Sequence, residues 1–160
     1  MPGWISDFRA SIFLHLDSSF SQDELLVRRT ARDFVEDNVI PIIEECFRAG
    51  RFPRELTPLM GKLGFLGASL DGYGCAGMSN VECDLVMQEL ERGDSGLRSF
   101  VSVQSALVMY PIYTFGSDEQ RNVWLPSLAS TSPGLRPIEA EPGSARCAQL
   151  RRLYLSPGNW

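Results

Sequence analysis

An all-α helical bundle followed by an irregular C-terminal tail is the fold class that the sequence predicts, and three observations predict it. Capping boxes recur at Ser21, Ser79 and Ser117, each followed by apolar residues at helical spacing. No alternating strand pattern occurs in the first 130 residues, and beyond Thr131 the helical periodicity gives way to Pro133, Gly134, Pro137, Pro142, Gly143, Pro157 and Gly158.

The first box, Ser21-Gln22-Asp23-Glu24, starts a helix near residue 22, with Phe20 and Leu25 at the hydrophobic-staple positions. Val27, Ala31, Phe34 and Val35 recur at i, i+4, i+7 and i+8, the pattern of an amphipathic surface helix. Pro41 kinks or ends it, and Ile42, Ile43, Cys46 and Phe47 carry the apolar face on to Gly50. Pro53 suits a first helical position, and Leu56, Leu59, Met60 and Leu63 predict a short second helix that stops at Gly64. The box at Ser79-Asn80-Val81-Glu82 opens a helix through Leu85, Val86 and Leu90 that ends at Gly93-Asp94-Ser95-Gly96. A central helix from Leu97 to about Phe115 follows, and Ser117-Asp118-Glu119-Gln120 starts a last short one that carries Val123 and Trp124 and stops before Pro126. In the tail only Ala148 to Leu155 has room for a turn or two of structure.

At 160 residues and 44% hydrophobic content, one compact domain is the expectation. The formal net charge of −5 lacks the basic footprint of nucleic-acid or anionic-membrane binding. The tail departs from this balance, setting Arg136, Arg146, Arg151 and Arg152 against Glu139 and Glu141. Cys46, Cys75, Cys83 and Cys147 show no C-x-x-C spacing and His15 is the sole histidine, so no metal site is expected. Reduced thiols suit a cytoplasmic protein. Ile12-Phe13-Leu14 is interrupted by His15 and Asp17 and follows no basic cluster, so no leader is read there. Ser99 to Ser117 carries no charge, but its serines, Gln104 and Pro111 are too polar for lipid, and a helix buried in protein is expected.

Three features bear on chemistry. Gly72-Tyr73-Gly74-Cys75-Ala76-Gly77 matches G-x-G-x-x-G, but no strand feeds it and the next helix has its own cap at Ser79. It is therefore read as an interhelical glycine loop rather than a nucleotide cradle. Arg98, Ser102 and Ser105 form a polar stripe along the apolar central helix. One reading pairs Arg98 with Asp94 and turns the serines onto their own backbone. The other is a ligand groove, in which the planar guanidinium meets a carboxylate. Glu89 and Glu91 are read as solvated or capping charges without a catalytic role, and Arg28, Arg29, Arg32, Asp33, Glu36 and Asp37 as a solvated face that could serve an oligomer contact.

The segment Glu89-Leu90-Glu91-Arg92-Gly93-Asp94-Ser95-Gly96-Leu97-Arg98-Ser99, continued by Ser102-Val103-Gln104-Ser105, resembles the acyl-CoA dehydrogenase family, most nearly glutaryl-CoA dehydrogenase. Lys62-Leu63-Gly64-Phe65-Leu66-Gly67, the glycine loop, Pro111-Ile112-Tyr113 and Gly116-Ser117-Asp118-Glu119-Gln120-Arg121 agree in order. The resemblance spans residues 14–130 and identifies them as the family's N-terminal α-helical domain. Residues 131–160 stand as an irregular tail where the middle β-domain would begin.

The resemblance implies a middle β-domain and a C-terminal four-helix bundle with FAD between them and across subunits. It implies an acyl-CoA substrate oxidised by loss of an α-proton to a glutamate and of a β-hydride to flavin. It also implies an acyl pocket lined by Arg98, Ser99 and Ser102. The base glutamate belongs to the bundle, so no catalytic residue is assigned here. Thr131-Ser132-Pro133-Gly134-Leu135 replaces the family's flavin-approaching run. The expectation is therefore a truncated dehydrogenase that neither retains FAD nor oxidises acyl-CoA alone. A non-catalytic helical interaction module and a gene remnant are the alternatives, and a homo-oligomer is entertained as the assembly.

Overall fold

The computed structural model describes residues 16–130, and among these every regular element is helical. The expectations for Ile12–Leu14 and for the tail lie outside the described residues. After a 3-10 turn at Leu16–Ser19, α1 spans Gln22–Phe34 and continues through a π turn, Val35–Val39, into α2, Ile40–Arg48. A 3-10 turn at Arg54–Leu56 leads into α3, Thr57–Lys62. Beyond the glycine loop come α4, Asn80–Gly93, and α5, Ser95–Ser102, which runs through a second π turn, Val103–Met109, into α6, Tyr110–Phe115. The last helix, α7, spans Asp118–Ser130.

All three capping boxes form. Ser21 and Ser79 Oγ accept from the amides of Glu24 and Glu82, whose carboxylates accept from the serine amides at 2.7 Å. Gln120 plays the glutamate's part at Ser117, with bonds of 2.9 and 3.2 Å. Each box satisfies two amide donors that a helix start would leave open.

Both π turns stand directly before a proline that lies within the first two positions of the next helix, Pro41 in α2 and Pro111 in α6. A proline ring clashes with the carbonyl four residues back and supplies no N–H. The wider turn re-routes the ladder: the Ile40 amide reaches the Val35 carbonyl and the Tyr110 amide that of Ser105, both five residues back. The central helix is therefore a joined α–π–α rod, Ser95–Phe115, rather than one uniform helix. The last helix also departs from expectation, because it continues through Pro126 to Ser130. Burial of Leu125, Leu128 and Ala129 on both sides of the proline offsets its interior position.

The core gathers Ala31, Phe34, Val35 and Val39 from α1 and its π turn, Met60 from α3, Val86 and Leu90 from α4, Leu97, Val101 and Met109 from the rod, and Leu125 from α7. Phe65 enters from the loop after α3 and meets Phe34 edge-on at 5.7 Å. Each of the larger of these side chains removed from water stabilises the fold by about 1.5–3 kcal/mol.

A close approach joins α4 and the first π turn. A Cβ added at Gly93 would stand 2.7 Å from Val35 Cγ1 and 3.2 Å from Val39 Cγ1. Beside this contact lies a charged clamp. Glu89, expected to be solvated, has a side chain only 3% exposed and accepts from Arg32 Nε and Nη2 at 3.2 and 2.6 Å and from Arg92 Nε at 2.9 Å. Arg92 Nη1 donates in turn to Glu36 at 2.8 Å. The reason for the correction is positional: Glu89 shares the buried stripe of Leu85, Val86 and Leu90. Burial pushes the Glu89 carboxyl up, and the hydrogen bonds from Arg32 and Arg92 more than reverse this, leaving it below the ordinary carboxylate range.

Two outcomes follow for stability. Gly93→Ala should overpack Val35 and lower the urea-unfolding free energy by about 1–3 kcal/mol, with no effect if the two helices can part freely. Glu89→Gln should cost about 2–3 kcal/mol at neutral pH. Because the folded carboxyl titrates below its unfolded value, that contribution is present above the ordinary carboxylate range and is lost as pH falls through the folded value. The gap between wild type and Glu89→Gln in urea titrations should thus close with acidification. A gap independent of pH would contradict the clamp.

Candidate functional site

The sequence directs attention to the N-terminal end of the rod. Asp94, extended at φ −163° and ψ 126°, ends α4 and caps α5, its Oδ1 accepting from the Leu97 amide at 2.8 Å. That role removes Asp94 from Arg98. The guanidinium instead reaches back seven residues, its Nε donating to Glu91 Oε2 at 2.6 Å. The Arg98–Asp94 side-chain pairing is thereby corrected, for the physical reason that the cap holds the aspartate over the amide end of its own helix.

Arg98 is 39% exposed and Glu91 49%, so the pair is a solvated one of about 0.2–1 kcal/mol. The two terminal nitrogens of Arg98 make no hydrogen bond with any described residue. A planar, two-donor edge is thus left beside a carboxylate weakly held enough to be displaced. Ser99 is exposed and Ser102 half-buried, each one helical turn or less from Arg98.

Ser105 belongs elsewhere. It sits in the π turn, and its Oγ accepts from the amide of buried Gly67 at 2.9 Å. This bond docks the loop between α3 and α4 onto the rod, so the stripe divides into an outward part, Arg98 with Ser99 and Ser102, and an inward structural part. The loop closes on itself through Met78 N to Ala68 O at 2.7 Å and Gly77 N to Leu70 O at 3.1 Å. Its glycines 72, 74 and 77 hold positive φ, as does Tyr73 at 54°, whose ring meets Tyr113 edge-on at 6.1 Å. No strand feeds it, and a Cβ at Gly72 or Gly74 would face open space, so the glycines serve the turn.

The rod is not enclosed. Leu97, Val101, Gln104 and Met109 face the core, whereas Val103, Leu107 and Tyr110 follow one another at i, i+4 and i+7 on the outside. Leu107 is 70% exposed and Phe115 at the end of α6 is 83% exposed. The expectation of a buried rod is corrected: the rod carries apolar residues on both its sides, but described helices cover it on one side only.

Further chemistry is limited. Burial pushes the thiols of Cys75 and Cys83 up, away from reactivity. Among the described residues no three His, Cys, Asp or Glu side chains group as a metal site, and no helix is long and apolar enough to cross a membrane.

Glu89 with Arg32 and Arg92 is the cluster that sequence reasoning passed over. The available signal was a carboxylate on the apolar stripe of an amphipathic helix, with an arginine one turn further on.

Comparison with known proteins places this geometry. Residues 21–132 match the family described as acyl-CoA dehydrogenase, N-terminal domain. Glutaryl-CoA dehydrogenase from Mycobacterium smegmatis is similar in structure, with a TM-score of 0.73 and 48% identity over 76% of this chain and 32% of that one. An acyl-CoA dehydrogenase of Bacillus subtilis is 32% identical over 111 residues, 69% of this chain and 29% of that protein. A 3-(aryl)acrylate reductase of Clostridium sporogenes is 30% identical over 126 residues, 78% of this chain and 33% of that protein. The chain thus spans about a third of the length of the relatives it matches. Since the match takes in well over half of its residues and the helical fold with it, the chain belongs to the acyl-CoA dehydrogenase family, through that family's N-terminal domain.

Proposed function

We propose that this chain is the substrate-side helical domain of a flavin-dependent acyl-CoA dehydrogenase of the glutaryl type, in which Arg98, with Ser99 and Ser102, receives the distal carboxylate of a dicarboxylic acyl-CoA. The observation that carries the reading is the open two-nitrogen edge of Arg98, whose Nε already holds a carboxylate, that of Glu91, at 2.6 Å. The 48% identity to the Mycobacterium enzyme supports the choice of subclass. In this reading FAD and the proton-abstracting base belong to the two-thirds of the relatives that this chain does not match, and the domain alone neither retains flavin nor oxidises acyl-CoA. The flavin, once supplied by those parts, would take the hydride. The residues here would orient the acyl chain and neutralise its far end. A cytoplasmic homo-oligomer belongs to the same proposal.

A second reading, a non-catalytic helical interaction module, draws on the outward apolar face of Val103, Leu107, Tyr110 and Phe115. Under it, Leu107→Glu should convert an associating chain into a monomer in sedimentation experiments. A wild-type chain that is already monomeric at high concentration sinks this reading.

The principal reading is tested in a chimera that joins the domain to the middle and C-terminal domains of a relative. Arg98→Ala should lower kcat/KM for a dicarboxylic acyl-CoA by about 10–100-fold, the value of one charged bidentate contact, and leave a monocarboxylic analogue nearly unchanged. Equal loss for both substrates would remove Arg98 from the acyl pocket.

A further inference from the structure

The outer face of α1 carries Leu25, Arg28, Arg29 and Arg32 at i, i+3, i+4 and i+7, and with Asp17 these residues line a cleft of about 240 Å³. Three guanidinium groups thus converge on one concavity whose lining includes a single carboxylate. Asp17 and Glu89 pair with Arg28 and Arg32, which leaves Arg29 as the cation of the cleft with no ion pair among the described residues.

Two of the three are pre-positioned. Arg28, only 14% exposed, donates from Nη1 to Asp17 at 2.9 Å and lies over the Phe20 ring at 5.6 Å. Arg32 is held through Nε and Nη2 by Glu89, which leaves its Nη1 edge. Arg29 is exposed and makes no ion pair or hydrogen bond with any described residue, so all its donors are available. Planar guanidinium forks match tetrahedral oxyanions, and ordering two of them beforehand reduces the entropy lost on binding.

We propose that this cleft is a binding site for the phosphoryl or diphosphoryl group of a small molecule, with Arg29 as the closing donor and Arg28 and Arg32 as the fixed ones. Its volume falls below the roughly 300–1,000 Å³ of pockets that enclose drug-sized ligands, which suits a charged head group rather than a whole nucleotide. The net charge of −5 opposes a polyanion, which separates this site from a nucleic-acid surface. The assignment stands on α1 and is independent of the acyl-CoA reading.

The test is calorimetric titration of the full chain with inorganic pyrophosphate, with a phosphate monoester and with a single-stranded oligonucleotide, at matched low ionic strength. Saturable binding of pyrophosphate is expected, weakened about tenfold or more by Arg29→Ala, whose side chain supports no internal contact. Arg48→Ala, which removes an arginine of α2 outside the cleft, should leave binding unchanged. The site is overturned if pyrophosphate does not saturate, if Arg48→Ala weakens binding as much as Arg29→Ala, if sodium acetate binds equally well, or if the oligonucleotide binds more tightly than pyrophosphate.

Discussion

A carboxylate almost sealed from water holds the first and fourth helices together, and the position of everything after it depends on that contact. Glu89 is tolerated inside because two arginines meet it from different helices, Arg32 from α1 and Arg92 from its own, and each keeps part of its guanidinium in solvent. The arrangement avoids the full desolvation penalty of a buried ion pair while still giving the carboxylate three donors. Where this clamp sits, Gly93 permits the π turn to press directly against the end of α4. The chain then turns at Asp94, which closes one helix and opens the next. The direction in which the rod leaves, and with it the placement of Arg98, follows from this corner.

From the corner onwards the rod has two distinct sides. Its inner side is anchored by Leu97, Val101 and Met109 and by the Ser105 hydroxyl under the Gly67 amide. Its exposed side presents Val103, Leu107 and Tyr110, and at its head stands Arg98, whose hydrogen-bonding capacity is only partly used.

Much of the fold could be read directly from the residues. Serine followed three positions later by glutamate or glutamine located three helix starts because the box is a local device whose bonds lie within four residues. The two π turns were not legible as such, since a proline in a helical pattern is equally compatible with a stop, a kink or a widened turn. The choice was made by burial of Val39 and Met109 in the shared core. The same tertiary override carried α7 past Pro126. The site was half legible: Arg98 stood out as a charge at the head of an uncharged stretch. Its partner was misassigned because Asp94, one turn away, was drawn off by the stronger demand of a helix cap. Glu89 was missed because its charge was weighed and its place on the apolar stripe was not. One-sided covering of the rod depends on which elements surround it, which no single-chain periodicity reports.

The widened turn in the rod has a bearing on how such a chain tolerates change. Every residue beyond Met109 is phased by a segment that takes five residues, rather than four, to close each backbone ring. Rewinding Val103–Met109 into ordinary four-residue rings at unchanged length would rotate α6 by about 100°, the turn of one residue, about its axis. Tyr113 would swing away from Tyr73, and the apolar outer face would be redistributed around the helix. The winding of that short segment is thus under tighter physical constraint than side-chain identity at its exposed positions.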